Sequence, residues 1–429
     1  MQQIVIVGAG PVGMAVAALC VEHGAEPYVV ERRLQTREGS RAIGVAPASL
    51  EILGRLGLEK AMLERGVPVR AAYVHNEHRV LGRLDFSEIS GRHPYILVVP
   101  QVETEELLRQ HLTQQDVAVH EGWTVESLSA GAESCESVRL QLQRTEVDVV
   151  TGKPPLSSNI AELQSQYVVC ADGFRGQLAA QLGLSSPPHY LPYHFVMGDF
   201  HDRSALGADA HLWFTSFGAV ESFPLPAGKR RWIAQLPSDR SQELSKDGTD
   251  DVAELERFVH ERTGFSLRSE DCSWRSSFQP VTRIASEAAV GRCFLAGDAL
   301  HAMSPIGGQG MNSGIADAEL LSELLVELVR FPADAAGSHG PHGSHGPQLS
   351  LSRARKVYAK ARLRAGSSAA SRAGVGTHIG SLRGRVGSGV RSTLIQAALN
   401  SPLQKHLASH FAMRTIPYRR AAHAVIRMP

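Results

Sequence analysis

The sequence predicts an α/β protein: a Rossmann-like nucleotide-binding domain, an inserted mixed or antiparallel β-sheet that would hold a substrate, and a helical C-terminal tail. Three observations predict it. Residues 3–31 read strand, glycine turn, helix, strand. Two further short apolar runs, 167–171 and 293–296, stop at Asp172-Gly173 and at Gly297-Asp298, as buried parallel strands ending in turns do. Between those runs, residues 189–278 are rich in aromatic and β-branched strand formers and poor in helical signals until residue 252. A chain of 429 residues exceeds one ordinary domain, which agrees with an insertion.

In chain order, Ile4, Val5, Ile6 and Val7 form the first strand, the Ala-rich run 12–21 a helix, and Tyr28, Val29 and Val30 the second strand. Leu50, Leu53 and Leu56 at helical spacing predict a helix over 48–56, and Leu107, Leu108 and His111 another over 103–112. Residues 69–99 alternate as antiparallel strands do. In the insertion, 211–215 and 231–235 are strand candidates, followed by a helix at 252–262. A helix over 310–329 precedes a Gly/His/Pro tract, residues 331–351, read as a flexible loop rather than a metal site. Residues 352–371 read as helical, whereas 374–389 is too rich in Gly and Arg to assign. The division expected is residues 1–70, 101–185 and 280–330 for the nucleotide-binding domain, 71–100 and 186–279 for the substrate sheet, and 352–429 for a basic helical segment.

Composition excludes several classes. With 43% hydrophobic and 20% charged residues, the chain is neither disordered nor collagenous. Cys20, Cys135, Cys170, Cys272 and Cys293 are scattered without C-x-x-C or Cys/His spacing, so reduced thiols and no metal site are expected. An apolar strand starts almost at Met1, which argues against a secretion signal, and charge interrupts every long apolar run, which argues against a membrane span. The expected location is the cytoplasm. Net charge is +1, yet residues 353–429 hold fifteen Lys/Arg and no Asp/Glu. Two readings stay open for this basic tail: packing on the acidic body, and peripheral contact with an anionic membrane. Nucleic acid is not expected, because no base-reading motif or interleaved aromatics accompany the charge.

The sharpest motif is Gly8-Ala9-Gly10-Pro11-Val12-Gly13, set between a strand and a helix, with Glu31 closing the next strand. Gly8 permits a tight turn, Gly10 the close approach of a pyrophosphate, and Gly13 close strand–helix packing, while free N–H groups of the helix start face the phosphates. Glu31 would accept hydrogen bonds from an adenosine ribose. This pattern selects a dinucleotide without choosing between FAD and NAD. No Ser/His/Asp, Cys/His or paired-carboxylate set offers itself as a nucleophile or acid–base pair.

The run from Gly297 through Asp298, His301, Pro305, Gly307, Gly308 and Gly310 to Met311 and Asn312 supplies the choice. Together with Gly8 to Gly13 and with Cys170-Ala171-Asp172-Gly173, it resembles the class A flavin-dependent monooxygenases, the p-hydroxybenzoate hydroxylase-like family. Glu31-Arg32, Arg41, Pro100-Gln101 and Phe223-Pro224-Leu225-Pro226 with Arg231-Trp232 extend the resemblance over residues 1–330. The resemblance implies FAD, with NADPH or NADH and O2 as co-substrates. It implies an oxygen atom delivered through a flavin C4a-hydroperoxide to an electron-rich aromatic or quinone-like small molecule, by hydroxylation or epoxidation. The FAD-binding set it implies is Gly8, Gly10, Pro11, Val12, Gly13, Glu31, Arg32, Arg41, Gln101, Asp172, Asp298, Pro305, Gly308, Gly310, Met311 and Asn312. Pro305 and His301 would stand near the flavin, His301 as a hydrogen-bonded supporting residue, and no side chain would serve as nucleophile. His211, Trp213, Phe214, Phe223 and Trp232 are the pocket candidates over the flavin ring, although at strand spacing half should be core. The family's middle motif continues D-G-x-x-S-x-V-R, whereas this chain reads Asp172-Gly173-Phe174-Arg175-Gly176-Gln177-Leu178-Ala179, which bears on how NAD(P)H docks. Alternatives on the same fold are a prenyl reductase and a halogenase, whose W-x-W-x-I-P signature is absent. A non-catalytic FAD-binding partner subunit is a third.

Overall fold

The computed structural model describes residues 1–34, 39, 42–129, 136–144, 160–237, 249–305, 307–331, 349–380 and 384–414. The β-branched run Gln2–Val7 lies at the centre of an eight-stranded sheet, parallel to Pro27–Glu31 on one side and to Ile160–Cys170 on the other. Cys293–Leu295 continues the parallel set beyond Ile160–Cys170, and Val119–Glu121 beyond Pro27–Glu31. The helices Pro11–Glu22 and Gln309–Arg330 pack on this sheet, whose apolar residues form the largest core. Register sets where the strands end. Val7 pairs with Val30 and Cys170, and Cys170 with Leu295, so the turns after three strands emerge side by side at the carboxyl edge. That edge, at the switch between neighbouring crossovers, is where open parallel sheets bind ligands.

The second sheet has seven strands, in the order Cys272–Phe278, Phe195–His201, Lys229–Gln235, Gly218–Leu225, Ala210–Thr215, Ala71–His75 and Val80–Asp85. It is antiparallel except that Ala71–His75 runs parallel to Ala210–Thr215. Two-residue alternation divides its side chains. Trp213, Val220 and Trp232 pack under the helix Thr249–Thr263 with Phe258 and Val259, while Leu212, Phe214, Phe223 and Ile233 point the other way. Ile96–Val98, expected within this alternation, instead joins Gly44–Val45 and Val67–Val69 in a small separate sheet.

The C-terminal segment is helical at Leu351–Gly380, Arg385–Leu399 and Leu403–Phe411, so the first helix runs nine residues past its expected end. It is anchored from inside. Tyr358, fully buried, donates its hydroxyl proton to Leu295 O at 2.7 Å, and Arg362 reaches Asp317. Several basic tail residues pair with the body: Arg414 with Glu51 and Lys405 with Glu88. Among the described residues no helix is long and apolar enough to cross a membrane. Cys135, most of the Gly/His/Pro tract and the last fifteen residues lie outside the described residues.

Candidate active site

The three turns build one wall of a cavity of about 1610 Å³. That exceeds the 300–1,000 Å³ of an ordinary ligand pocket, leaving room for a dinucleotide and a second molecule. Gly8 has φ +107°, and a Cβ there would stand 2.3 Å from Ala171 O; one on Gly13 would stand 1.9 Å from Gly8 O. Both positions exclude any side chain. Gly10, by contrast, faces open space at the start of the first helix, where Pro11 occupies the first helical position. Glu31 is buried, and its carboxylate accepts hydrogen bonds from Ala9 N at 2.7 Å and from Arg33 N and Nε, each at 2.9 Å. Burial pushes this carboxyl up, but those hydrogen bonds outweigh it and hold it below its ordinary value.

At the middle turn the Asp172 carboxylate accepts from Leu178 N at 3.2 Å, while its other oxygen is buried without a partner. Burial pushes its carboxyl up. The departure from the family motif coincides with a close local fit here. A Cβ on Gly176 would lie 2.0 Å from Asp172 Oδ2, so the missing serine leaves the space into which this carboxylate turns.

At the third turn Gly297 takes φ +62° and Asp298 stands in the cavity floor. Its carboxylate is open to the cavity and has no hydrogen-bond partner among the described residues, yet the floor lies deep enough that burial pushes its pKa up. Behind it sits a fully buried network. Asp317 accepts from Gly297 N at 2.9 Å, His301 Nε2 lies 2.8 and 3.0 Å from its two oxygens, and Arg362 Nε donates at 2.5 Å. Burial pushes Asp317 up, but the His301 and Arg362 contacts outweigh it and keep the carboxyl ionised below its ordinary value. His301 therefore does not line the cavity; it holds the turn that presents Asp298. Gly366 of the long C-terminal helix makes room for it, since a Cβ there would stand 2.8 Å from His301 Cδ2.

The loop at Gly307 and Gly308, both with positive φ, leads into the 22-residue helix Gln309–Arg330, whose first N–H groups open on the cavity at Gln309, Gly310 and Met311. Gln309 Oε1 is buried without a partner. Asn312 lies behind the wall, accepting from Ala46 N at 2.8 Å and donating to Gly44 O at 2.9 Å and Gly308 O at 2.6 Å. Its side chain fixes the loop and does not reach the cavity. Gly8, Gly10, Pro11, Val12, Gly13, Glu31, Arg32, Gln101, Asp172, Asp298, Pro305, Gly308, Gly310 and Met311 all line one cavity; Arg41 lies outside the described residues.

The far end of the cavity is the apolar face of the seven-stranded sheet. Here the expected pocket set divides by strand parity. Phe214 and Phe223 line the cavity, whereas His211, Trp213 and Trp232 do not. Trp213 stacks on Trp232 at 5.7 Å, and His211 stacks on Trp213 and bonds His75 at 3.0 Å, all on the opposite face. The physical reason is the pleat: a one-residue shift moves a side chain through the sheet. Two features were missed from sequence. Glu221 lies on the cavity face, and the C-terminal helices roof it through Arg372, Gly376, Gly380 and Arg391. The first was legible from alternation with Phe223; the second had no local signal.

The residues present fit FAD. Two glycines that tolerate no Cβ, a third facing open space, buried Asp172 and Gln309 oxygens without partners, and an unpaired Asp298 carboxylate are what a diphosphate, a polyhydroxyl chain and a heteroaromatic edge would complete.

Comparison with known proteins agrees. A family model described as FAD binding domain matches residues 1–338. The chain is 30% identical over 335 residues to a 6-methylpretetramide 4-monooxygenase of Streptomyces rimosus, covering 76% of this chain and 56% of that protein. It is 29% identical over 326 residues to a rifampicin monooxygenase of Streptomyces venezuelae, covering 74% and 62%. This chain thus spans little more than half the length of these relatives. In fold it is similar to p-nitrophenol 4-monooxygenase of Pseudomonas putida, with TM-score 0.81 at 19% identity over 98% of this chain and 99% of that one.

Proposed function

The chain belongs to the FAD binding domain family of class A flavin-dependent aromatic hydroxylases, and on that premise we propose that it is an NAD(P)H-consuming monooxygenase of electron-rich aromatic or quinone-like small molecules. The observation that carries this reading is the single cavity shared by the three dinucleotide-binding turns and an apolar sheet face. When bound, FAD supplies the redox chemistry: it accepts hydride from NAD(P)H and passes one oxygen atom of O2 to the substrate. The protein's own part is binding, orientation and exclusion of water. Gly10 and the first helix's N–H groups would receive the pyrophosphate, Glu31 the adenosine ribose and Asp298 the ribityl hydroxyls. The N-terminus of Gln309–Arg330, which opens on the cavity, would offer partial positive charge to the electron-rich edge of a bound flavin. The sheet face and the helical roof enclose the substrate away from bulk water. We read residues 1–70, 101–185 and 280–330 as the cofactor domain, 71–100 and 186–279 as the substrate domain, and the basic tail as an intramolecular roof working in the cytoplasm.

Incubation with a panel of phenols, naphthols and hydroxyquinones under ¹⁸O2 with NADH or NADPH tests the reading. One ¹⁸O per product molecule is expected. Products reduced without label would point to a reductase on the same fold and contradict it.

A further inference from the structure

Among the described residues, those of the seven-stranded sheet that line the cavity are apolar or aromatic except at one position. On the strand Gly218–Leu225, alternation turns Ala219, Glu221 and Phe223 toward the cavity and Val220 and Ser222 away. Glu221 sits mid-sheet between Leu212 and Ile233, its cross-strand neighbours, which also line the cavity. It is 8% exposed and, among the described residues, is the one charged side chain of the sheet that lines the cavity; Arg231 and Asp199, on the same face, pair with each other away from it. Its carboxyl has no hydrogen-bond or ion-pair partner among them. Arg372, Arg391 and His410 line the helical roof, and none pairs with it. Burial alone pushes the Glu221 carboxyl up to about 7.

A carboxyl in such a place costs stability, because an unpaired buried polar group forfeits its hydration. No backbone group or side chain is held by it, so packing offers no return for that cost. What it faces is the volume left for the second molecule. We propose that Glu221 is the polar anchor of the substrate site, accepting a hydrogen bond from a ring hydroxyl of a flat, otherwise apolar arene. The substrate class is then a hydroxyarene, and the same ring without the hydroxyl, or with it O-alkylated, is rejected. A site built around a buried acceptor discriminates in this way because the analogue leaves the acceptor unpaired. The inference rests on the aromatic-substrate reading above, but its test does not need turnover.

The experiment measures equilibrium dialysis of 2-naphthol, 2-methoxynaphthalene, 2-hydroxyanthraquinone and 2-methoxyanthraquinone against the FAD-loaded full chain, without nicotinamide. Wild type, Glu221→Gln and Glu221→Leu are compared. Wild type is expected to prefer each hydroxy compound over its methyl ether. At pH 8, where the carboxyl is ionised, Glu221→Leu should lower that ratio about tenfold or more, the worth of a hydrogen bond to a charged group. Glu221→Gln, which keeps an acceptor oxygen, should hold an intermediate ratio. Neither variant should unfold more easily than wild type, since the carboxyl supports nothing. A ratio equal in wild type and Glu221→Leu, or no binding of any of the four compounds to wild type, overturns the proposal. FAD content measured in the same samples separates the two readings. Wild type that retains no FAD refutes the hydroxylase assignment, whereas FAD retained with an unchanged ratio refutes the role of Glu221 alone.

Discussion

Replacing Asp317 by Asn keeps the shape of the residue and removes its charge from the middle of a dry network. Asp317 is fully buried, and three donors converge on its two oxygens: Gly297 N, His301 Nε2 and Arg362 Nε. Asn offers one oxygen and points an NH2 group at the remaining donors. The Arg362 guanidinium, with a side chain 3% exposed, loses the Asp317 charge it is held against. Removing one partner of a buried ion pair costs about 3–5 kcal/mol. That is a large share of the roughly 5–15 kcal/mol of a typical fold. The perturbation also reaches the site, because Gly297 N–H orients the turn that carries Asp298. FAD affinity should fall about tenfold, the equivalent of about 1.4 kcal/mol. Urea unfolding gives the first quantity and flavin fluorescence titration the second. The double variant Asp317→Asn/Arg362→Met, which removes both charges, should recover part of the lost stability. A single variant within 1 kcal/mol of wild type, or a double variant no better than the single, would rule out this role for the buried charge.

Gly13→Ala should cost about 1–3 kcal/mol and abolish FAD retention on gel filtration, because its Cβ would meet Gly8 O at 1.9 Å. Trp213→Ala should cost about 3–5 kcal/mol in urea unfolding yet leave the preference among arene ligands unchanged, since Trp213 packs under the helix and not on the cavity. The Glu221 carboxyl, at about 7 in the fold against an ordinary 4.5, favours folding in its acid form; that contribution is complete below pH 4.5 and lost as pH rises through about 7. Wild type should therefore weaken relative to Glu221→Gln by on the order of 3 kcal/mol between pH 5 and pH 8, read from urea midpoints at the two values. Gly376→Leu on the cavity roof should exclude three-ring ligands while still admitting naphthols, measured by the same dialysis.

Much of the cofactor half was legible in the sequence because its signals are local. Gly8, Gly10 and Gly13 are set by steric limits within one turn, and Asp172 and Asp298 announce themselves by following short apolar strands. Register then brings Val7, Cys170 and Leu295 level, which a strand count alone does not reveal. The substrate half was less legible. Strand spacing foretold that half of the aromatic candidates would be core but not which half; the pleat gives Trp213 and Trp232 to the core under Thr249–Thr263, with His211 on the same face, and Phe214 and Phe223 to the cavity. Glu221, between Val220 and Ser222, carried no signal until Phe223 was placed on the cavity side. The C-terminal contribution was invisible for another reason. Arg362 meets Asp317 across 45 residues of sequence and Tyr358 meets Leu295 across 63, contacts that no local pattern encodes.

The proposed activity depends on a cavity that holds an FAD which NAD(P)H reduces and O2 reoxidises. The visible spectrum of the purified, FAD-reconstituted protein reads this directly, followed anaerobically as NADH or NADPH is added and then as oxygen is admitted. Flavin bands at one FAD per chain, bleached by the nicotinamide and restored by oxygen, are expected. A protein that retains no flavin, or whose flavin bands never bleach with either nicotinamide, would overturn the assignment.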